Sequence, residues 1–215
     1  MQINILAGAP TELWPDDLFQ EPGLWIGADR GAWRLYERGL PMMMAVGDFD
    51  SLTDTELATL QAHLQANEIM HVQAEKDETD TELALLYAQR QQPDQIKVFG
   101  ATGGRVDHLL SNLWLMANPV FDAIVEKTQF IDRLNVVSYV QPGEKEVHQI
   151  PGTKYLGFMP LNDVKDFQII DAKYPLSLTD NVAKMWSSNE FKADIVHISF
   201  KTGIVMVTQS KDECF

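Results

Sequence analysis

Over its first 118 residues the chain repeats one arrangement: a short apolar run closed by Gly or polar residues, then a longer segment of helical spacing. The runs are INILAG, LWIGA, MMMAVG, IMHVQ and IKVFG, rich in Ile, Val and Leu. Runs of this length and character predict buried strands. Between the last two, TDTELALLYAQRQ sets Leu83, Leu86, Tyr87 and Arg90 at spacings of three and four. That spacing predicts an amphipathic helix with this stripe on a sheet. Strand, helix, strand in succession implies a mostly parallel, Rossmann-like sheet with right-handed crossovers.

After ANPVFD the pattern changes, because TQFIDRLNVVSYVQPGEKEVHQIPGTKYLGFMPL and ADIVHISFKTGIVMVTQS read as strand-length pieces. QPGE, IPGT and KTG separate them and look like hairpin turns. No long helical period intervenes. The expected organisation is therefore an α/β domain over residues 1–122 followed by an all-β sandwich domain over residues 123–215.

Charge narrows the partners. With 31 acids against 17 Lys plus Arg the formal charge is −14, which argues against a long basic groove that tracks nucleic acid. A small anion such as a nucleotide would need a cation or a few placed basic groups in so acidic a chain. No basic n-region with a long apolar stretch opens the sequence, and about 18 uncharged apolar residues never run together. The expectation is a soluble, cytoplasmic protein with no membrane partner. Cys214 is the single cysteine, so neither an internal disulfide nor a multi-thiolate zinc site is expected.

In an open parallel sheet the carboxyl ends of the strands share one edge, where ligands bind. The second run ends in GADRG with Asp29, the third in GDFDS with Asp48 and Asp50, and the fourth in AEKDETD with Asp77 and Asp80. The fifth ends in GATGGR, and the segment after it carries Asp107. Each acid has a plainer reading: Thr53 with Glu56, and Thr79 with Glu82, have capping-box spacing, so Asp80 could complement a helix start and Asp50 order a turn. Gathered together they are harder to explain. Two carboxylates about 4 Å apart repel by about 4 kcal/mol at an effective dielectric near 20, equivalent to about 3 pKa units. A cation removes that cost, and an all-oxygen set favours Mg²⁺, with Mn²⁺ as the alternative, completed by water and phosphate oxygens. Asp48, Asp50 and Asp77 are the candidate ligands.

The GATGGR turn can bring backbone close to phosphate oxygens at a helix start. It matches neither the P-loop nor the dinucleotide fingerprint. In the following RVDHLLSNLWLMA, Val106, Leu109, Leu110, Leu113 and Ala117 form the expected apolar face. Arg105, His108 and Asn112 form a polar stripe that begins at the glycines, and Arg105 offers a planar fork to phosphate.

Taken in order, GADRGA, GDFDS, DETD and GGRVDH resemble the motifs of the thiamin pyrophosphokinase family (thiamine diphosphokinase). KYPL at Lys173–Leu176 and SSNEF at Ser187–Phe191 extend the resemblance over nearly the whole chain. The resemblance implies an N-terminal α/β domain, a C-terminal β-sandwich and a homodimer with thiamin sites at the subunit interface. The implied reaction moves the β,γ-diphosphoryl group of ATP to the hydroxyethyl oxygen of thiamin and releases AMP. It further implies Mg²⁺ on Asp48, Asp50 and Asp77, and an ATP site made by Asp29, Thr79, Asp80, Gly103, Gly104, Arg105, Asp107 and His108. Tyr174 would stack on thiamin, with Ser188 and Asn189 as polar contacts. Arg30 and Trp33 depart from the pattern, standing where many members carry Gly and Asn. Beside Asp77, Lys76 could supply positive charge near phosphate or equally be a solvated lysine.

Phosphoryl transfer asks mainly for positioning and charge stabilisation. Asp80 or Asp107 could accept the alcohol's proton, and sequence does not choose between them. Two other readings compete. DFDS could belong to a metal-dependent phosphatase of the haloacid dehalogenase type, although the pair is then expected after the first strand. Alternatively, the chain could sense nucleotide or thiamin without turnover.

Overall fold

A computed structural model describes residues 1–72 and 77–212. Lys76 and Cys214 lie outside the described residues. The chain divides into two compact units, one made of residues 1–115 and 130–133, the other of residues 116–129 and 134–215.

In the first unit the five apolar runs become β1 (Gln2–Leu6), β2 (Leu24–Ala28), β3 (Met42–Gly47), β4 (Ile69–His71) and β5 (Gln95–Phe99). They form a sheet of order β5-β1-β2-β3-β4 in which every pairing is parallel. Ile3, Ile5, Ile26, Val46, Ile96 and Val98 are wholly buried, while in β1 and β5 the polar Gln2, Asn4, Gln95 and Lys97 alternate with these apolar residues. The helices are α1 (Arg30–Glu37), α2 (Asp54–His63), α3 (Asp80–Arg90) and α4 (Val106–Trp114). Two 3₁₀ turns, Thr11–Leu13 and Leu18–Gln20, carry the first crossover in place of an α-helix. The chain leaves β1 toward β2 and returns from β4 to β5 on the other side. The end of β1 and the end of β5 are thus a topological switch point, the place where such sheets bind ligands.

Two glycines of GADRGA are fixed by packing. A Cβ on Gly27 would lie 2.3 Å from the Ala32 Cα, and one on Gly31 would lie 1.9 Å from the Leu6 carbonyl oxygen. Both obstacles are backbone, so helix α1 could not approach β1 and β2 as it does. Gly31→Ala is expected to destabilise the protein by about 1–3 kcal/mol or more through forced displacement of α1, read as a lower urea midpoint.

Both expected helix faces are rotated. In α3 the buried residues are Thr81, Ala84, Leu85 and Ala88, whereas Leu83, Leu86 and Tyr87 are half-buried and Arg90 is exposed. The small alanines let the helix lie close over β1, β2 and β3, so the bulkier stripe is turned aside. In α4 the buried residue is Asn112 of the polar stripe, while Val106 is 66 % and Leu110 47 % exposed. Asn112 is buried because its Nδ2 donates to the Ala101 carbonyl at 2.8 Å, tying α4 to the glycine turn. Ala117 falls beyond α4, in a 3₁₀ turn.

The chain passes between units along β6 (Thr128–Ile131). The second unit contains β7 (Asn135–Val140), β8 (Gly143–His148), β9 (Tyr155–Pro160), β10 (Lys165–Ile169), β11 (Leu176–Asp180), β12 (Trp186–Glu190), β13 (Ile195–Phe200) and β14 (Val205–Ser210). Strands β12-β9-β14-β7 form one antiparallel layer and β11-β10-β13-β8 the other. Their inner faces share a core that includes Leu156, Phe158, Phe167, Phe200 and Val205. Phe167 stands edge-on to both Phe158 and Phe200, at 6.0 and 6.1 Å between ring centroids. This is a β-sandwich.

The three expected hairpins are corrected. QPGE joins β7 to β8, IPGT β8 to β9 and KTG β13 to β14, and each connection crosses from one layer to the other. Turn residues specify a change of direction, whereas strand pairing is decided by which face each strand buries.

Candidate active site

Three acids meet at the carboxyl ends of β2 and β3. Ligand oxygens of Asp29, Asp48 and Asp50 all lie within 4.8 Å of one another. The backbone is bent to achieve this: Asp29 has φ 49° and ψ −122°, and Phe49 has φ 58°. Conformations of this kind cost about 1–3 kcal/mol each for residues with a side chain. Gly47 permits the approach, since a Cβ there would sit 3.2 Å from the Asp29 Cα and its own φ is 153°. The Asp29 N–H donates to the Val46 carbonyl at 2.8 Å, and the Asp50 N–H to Asp48 Oδ1 at 3.1 Å. Phe49, between the two acids, is buried and meets the His71 ring edge-on at 5.6 Å.

Asp29 Oδ1 is buried without a hydrogen-bond partner. Asp29 stands at the N-cap of α1, yet its side chain makes no capping bond. A buried carboxylate oxygen left this way is costly unless a cation reaches it. Together with Asp48 and Asp50 it completes an oxygen-only donor set suited to Mg²⁺ or Mn²⁺.

The loop after β3 is anchored on its far side. Thr53 and Glu56 form a full capping box: the Thr53 N–H donates to Glu56 Oε2 at 2.7 Å, and the Glu56 N–H to Thr53 Oγ1 at 3.3 Å. Arg30 Nη1 donates to Glu56 Oε1 at 2.8 Å, and Nη2 donates to the Ser51 carbonyl. The Thr53 backbone bond, followed by the Arg30 bond, holds the Glu56 carboxyl below its ordinary range.

Beside the acids opens a cavity of about 460 Å³ at the switch point. Asp29 and Asp48 line it from β2 and β3, Thr79 and Asp80 from the start of α3, and Gly103, Gly104, Arg105 and His108 from the glycine turn and α4. Gly103 and Gly104 have φ of 80° and 67°, which a side chain would resist. Thr79 caps α3, its Oγ1 accepting from the Glu82 N–H at 3.2 Å. Arg105 is exposed and forks onto Asp107, Nε to Oδ1 at 3.2 Å and Nη2 to Oδ2 at 2.6 Å. That pairing keeps the Asp107 carboxyl below its ordinary range.

Asp50 belongs to the acid trio but does not line the cavity, and Asp77 and Asp107 are exposed outside both groups. Asp29 therefore takes the place in the trio that sequence reasoning assigned to Asp77. The cavity's opposite wall, Ala7 to Pro10, went unread. Its signal was a run of small residues, LAGAP, at the end of the first strand. Arg34 supports this wall by donating from Nη1 to the Ala9 carbonyl at 2.7 Å while its guanidinium lies 5.1 Å from the Trp14 ring centre.

In the second unit Tyr174 is 57 % exposed. Asn189 is buried and tied to the Tyr174 backbone: Oδ1 accepts from the Tyr174 N–H at 2.9 Å, and Nδ2 donates one of its two hydrogens to the Tyr174 carbonyl at 2.9 Å. Its Oδ1 also accepts from the Glu190 N–H at 3.0 Å. Asn189 thus holds the Tyr174 backbone in place. Ser188 is exposed, with φ 59°, where the β12–β9 register shifts. Asn189→Ala would strand the Tyr174 backbone groups, an expected cost of about 1–3 kcal/mol, seen as a lower thermal midpoint.

Residues 15–126 match the family model described as thiamin pyrophosphokinase, catalytic domain, and residues 144–205 match the thiamin pyrophosphokinase vitamin B1 binding domain. The thiamine pyrophosphokinase of Bacillus subtilis is 38 % identical over 216 aligned residues, covering 98 % of this chain and 99 % of that protein. A crystal structure of a protein from Lactobacillus plantarum has a TM-score of 0.90 and 40 % identity, covering 99 % of this chain and 100 % of that one. A thiamin pyrophosphokinase family protein from Enterococcus faecalis gives a TM-score of 0.90 and 36 % identity with the same coverage. On sequence and fold alike, this chain belongs to the thiamin pyrophosphokinase family.

Proposed function

We propose that the protein transfers the diphosphoryl group of ATP to the hydroxyethyl oxygen of thiamin, giving thiamin diphosphate and AMP. The observation that carries this reading is the acid trio, with its orphaned Asp29 oxygen, at the mouth of a glycine-walled cavity on the switch point. Asp29, Asp48 and Asp50 would hold Mg²⁺, with Asp77 the further carboxylate proposed from sequence. When bound, the ion neutralises phosphate charge and orients the triphosphate.

The chain's own groups account for the rest. Backbone at Gly103 and Gly104 lets phosphate oxygens come close, and Arg105, exposed at the rim, can exchange its Asp107 partner for phosphate. Thr79 and His108 line the same cavity. Asp80 is the better-placed proton acceptor, because it lines the cavity whereas Asp107 lies outside the lining with its basicity reduced by Arg105. As the thiamin oxygen bonds to the β-phosphorus, its proton passes to Asp80. The bond from that phosphorus to the α,β-bridging oxygen breaks, and AMP leaves. In the second unit Tyr174, held by Asn189, would stack on thiamin, and Ser188 would offer its hydroxyl.

A homodimer with thiamin sites between subunits and a cytoplasmic location complete the proposal. No helix among the described residues is long and apolar enough to cross a membrane. Light scattering tests the dimer, and a monomer at micromolar concentration would contradict the shared site.

Incubation with ATP, Mg²⁺ and thiamin, followed by phosphorus NMR, tests the reaction. Thiamin-dependent AMP together with thiamin diphosphate is expected. ADP, or phosphate released without thiamin, would overturn diphosphoryl transfer, and tight binding without turnover would make the protein a sensor.

A further inference from the structure

The acid trio is assembled from two separate loops. Asp29 closes β2, whereas Asp48 and Asp50 follow β3, and both loops contain residues in disfavoured backbone conformations. Three like charges brought together from two loops push those loops apart. Something must oppose the repulsion before any cation arrives.

Arg30 is placed to do so. It directly follows Asp29, and its guanidinium spans to the other loop, with Nη2 on the Ser51 carbonyl and Nη1 on Glu56. The ion pair is sheltered, since the two side chains are 26 % and 22 % exposed. Glu56 is itself locked to Thr53 by the capping box at the start of α2. The chain of contacts therefore runs from Asp29's neighbour, across the acid loop, into a fixed helix end. Both Nη atoms of Arg30 have partners and it is absent from the cavity lining, so the geometry makes it a brace and not a phosphate contact.

We infer that Arg30 is a positioning residue that sets the separation between Asp29 and the Asp48–Asp50 pair, and thereby the affinity of the site for a divalent cation. The inference rests on the proposed role of the trio. It differs in sign from a simple charge effect. Removing a cation near a metal site, and leaving Glu56 unneutralised beside it, would tighten divalent binding if electrostatics alone acted. Loss of the brace weakens it.

Mn²⁺ titration followed by electron paramagnetic resonance reads this without turnover. Arg30→Met, which keeps the apolar stem, is expected to weaken Mn²⁺ binding by about tenfold or more, the usual effect of losing a group that orients metal ligands. At saturating metal, kcat is expected to stay within about threefold, so the loss falls on the metal's half-saturation. Arg30→Lys is expected to recover only part of the affinity, because an ammonium lacks the planar pair of separated Nη donors that reach Glu56 and Ser51. Asp48→Asn is the control that places the ion in the trio. Unchanged or tighter binding in Arg30→Met, with Asp48→Asn impaired, overturns the inference and leaves the proposed function standing. A lowered melting temperature with unchanged Mn²⁺ affinity overturns it equally. Unchanged binding in both variants overturns the trio as the metal site, and the inference with it.

Discussion

Asp48→Asn is expected to lower kcat/KM for thiamin diphosphate formation by about 100-fold to 1000-fold, with no recovery at high Mg²⁺. The substitution keeps side-chain size and leaves an oxygen to accept the Asp50 N–H that now bonds Asp48 Oδ1. The local turn should survive, so the change isolates one negative charge. In the proposed site that charge would have two uses, holding the ion with Asp29 and Asp50 and facing the cavity where the phosphates would lie. Loss of a preorganised electrostatic contact of this kind typically removes about 3–4 kcal/mol of transition-state stabilisation. Steady-state kinetics across a range of Mg²⁺ concentrations would test it. A loss of less than about fivefold would place the reacting phosphates elsewhere.

Phe49→Ala is expected to cost about 3–5 kcal/mol of folding stability, the range for truncating a buried aromatic. Phe49 is 2 % exposed and belongs to the same core as Leu6, Trp25, Leu60 and Phe99. It also holds a φ of 58°, which a bulky residue adopts only where its surroundings compel it. The buried ring and the acids on either side of it are thus two sides of one device. The core holds Phe49, and Phe49 turns Asp48 and Asp50 toward Asp29. Phe49→Leu, which retains most of the volume, should cost under about 1.5 kcal/mol. Urea unfolding compares the two. Equal losses would mean that the ring's shape, and not its burial, holds the loop.

Much of this was legible in the chain because its signals are local. Each apolar run became a strand within a residue or two, since short Ile- and Val-rich runs bounded by Gly or polar residues leave no room for a helical period. Gly47, Asp48 and Asp50 could be placed because a strand end fixes where the next residues point. Helix faces were less legible. In α3, Ala84 and Ala88 won the buried side over Leu83 and Tyr87, because close approach to the sheet favours small residues and hydropathy counts do not measure closeness. In α4, Asn112 was buried by one hydrogen bond to Ala101, a contact that no periodicity encodes. The sandwich turns were visible as turns, but the partner of each strand depends on distant residues. Asn189 carried a polar signal, and its two bonds to the Tyr174 backbone depend on a strand pairing that no local signal encodes.

Asp29, Asp48 and Asp50 are proposed to hold the ion that orients the triphosphate in the cavity at the switch point. A crystal structure with Mn²⁺, thiamin and α,β-methylene ATP, whose reacting bridge cannot be cleaved, would test it through anomalous scattering. A manganese peak is expected about 2.0–2.3 Å from oxygens of Asp29, Asp48 and Asp50, with phosphate oxygens completing the shell and the glycine turn against the triphosphate. A metal bound away from these three acids, or a nucleotide outside this cavity, would contradict it.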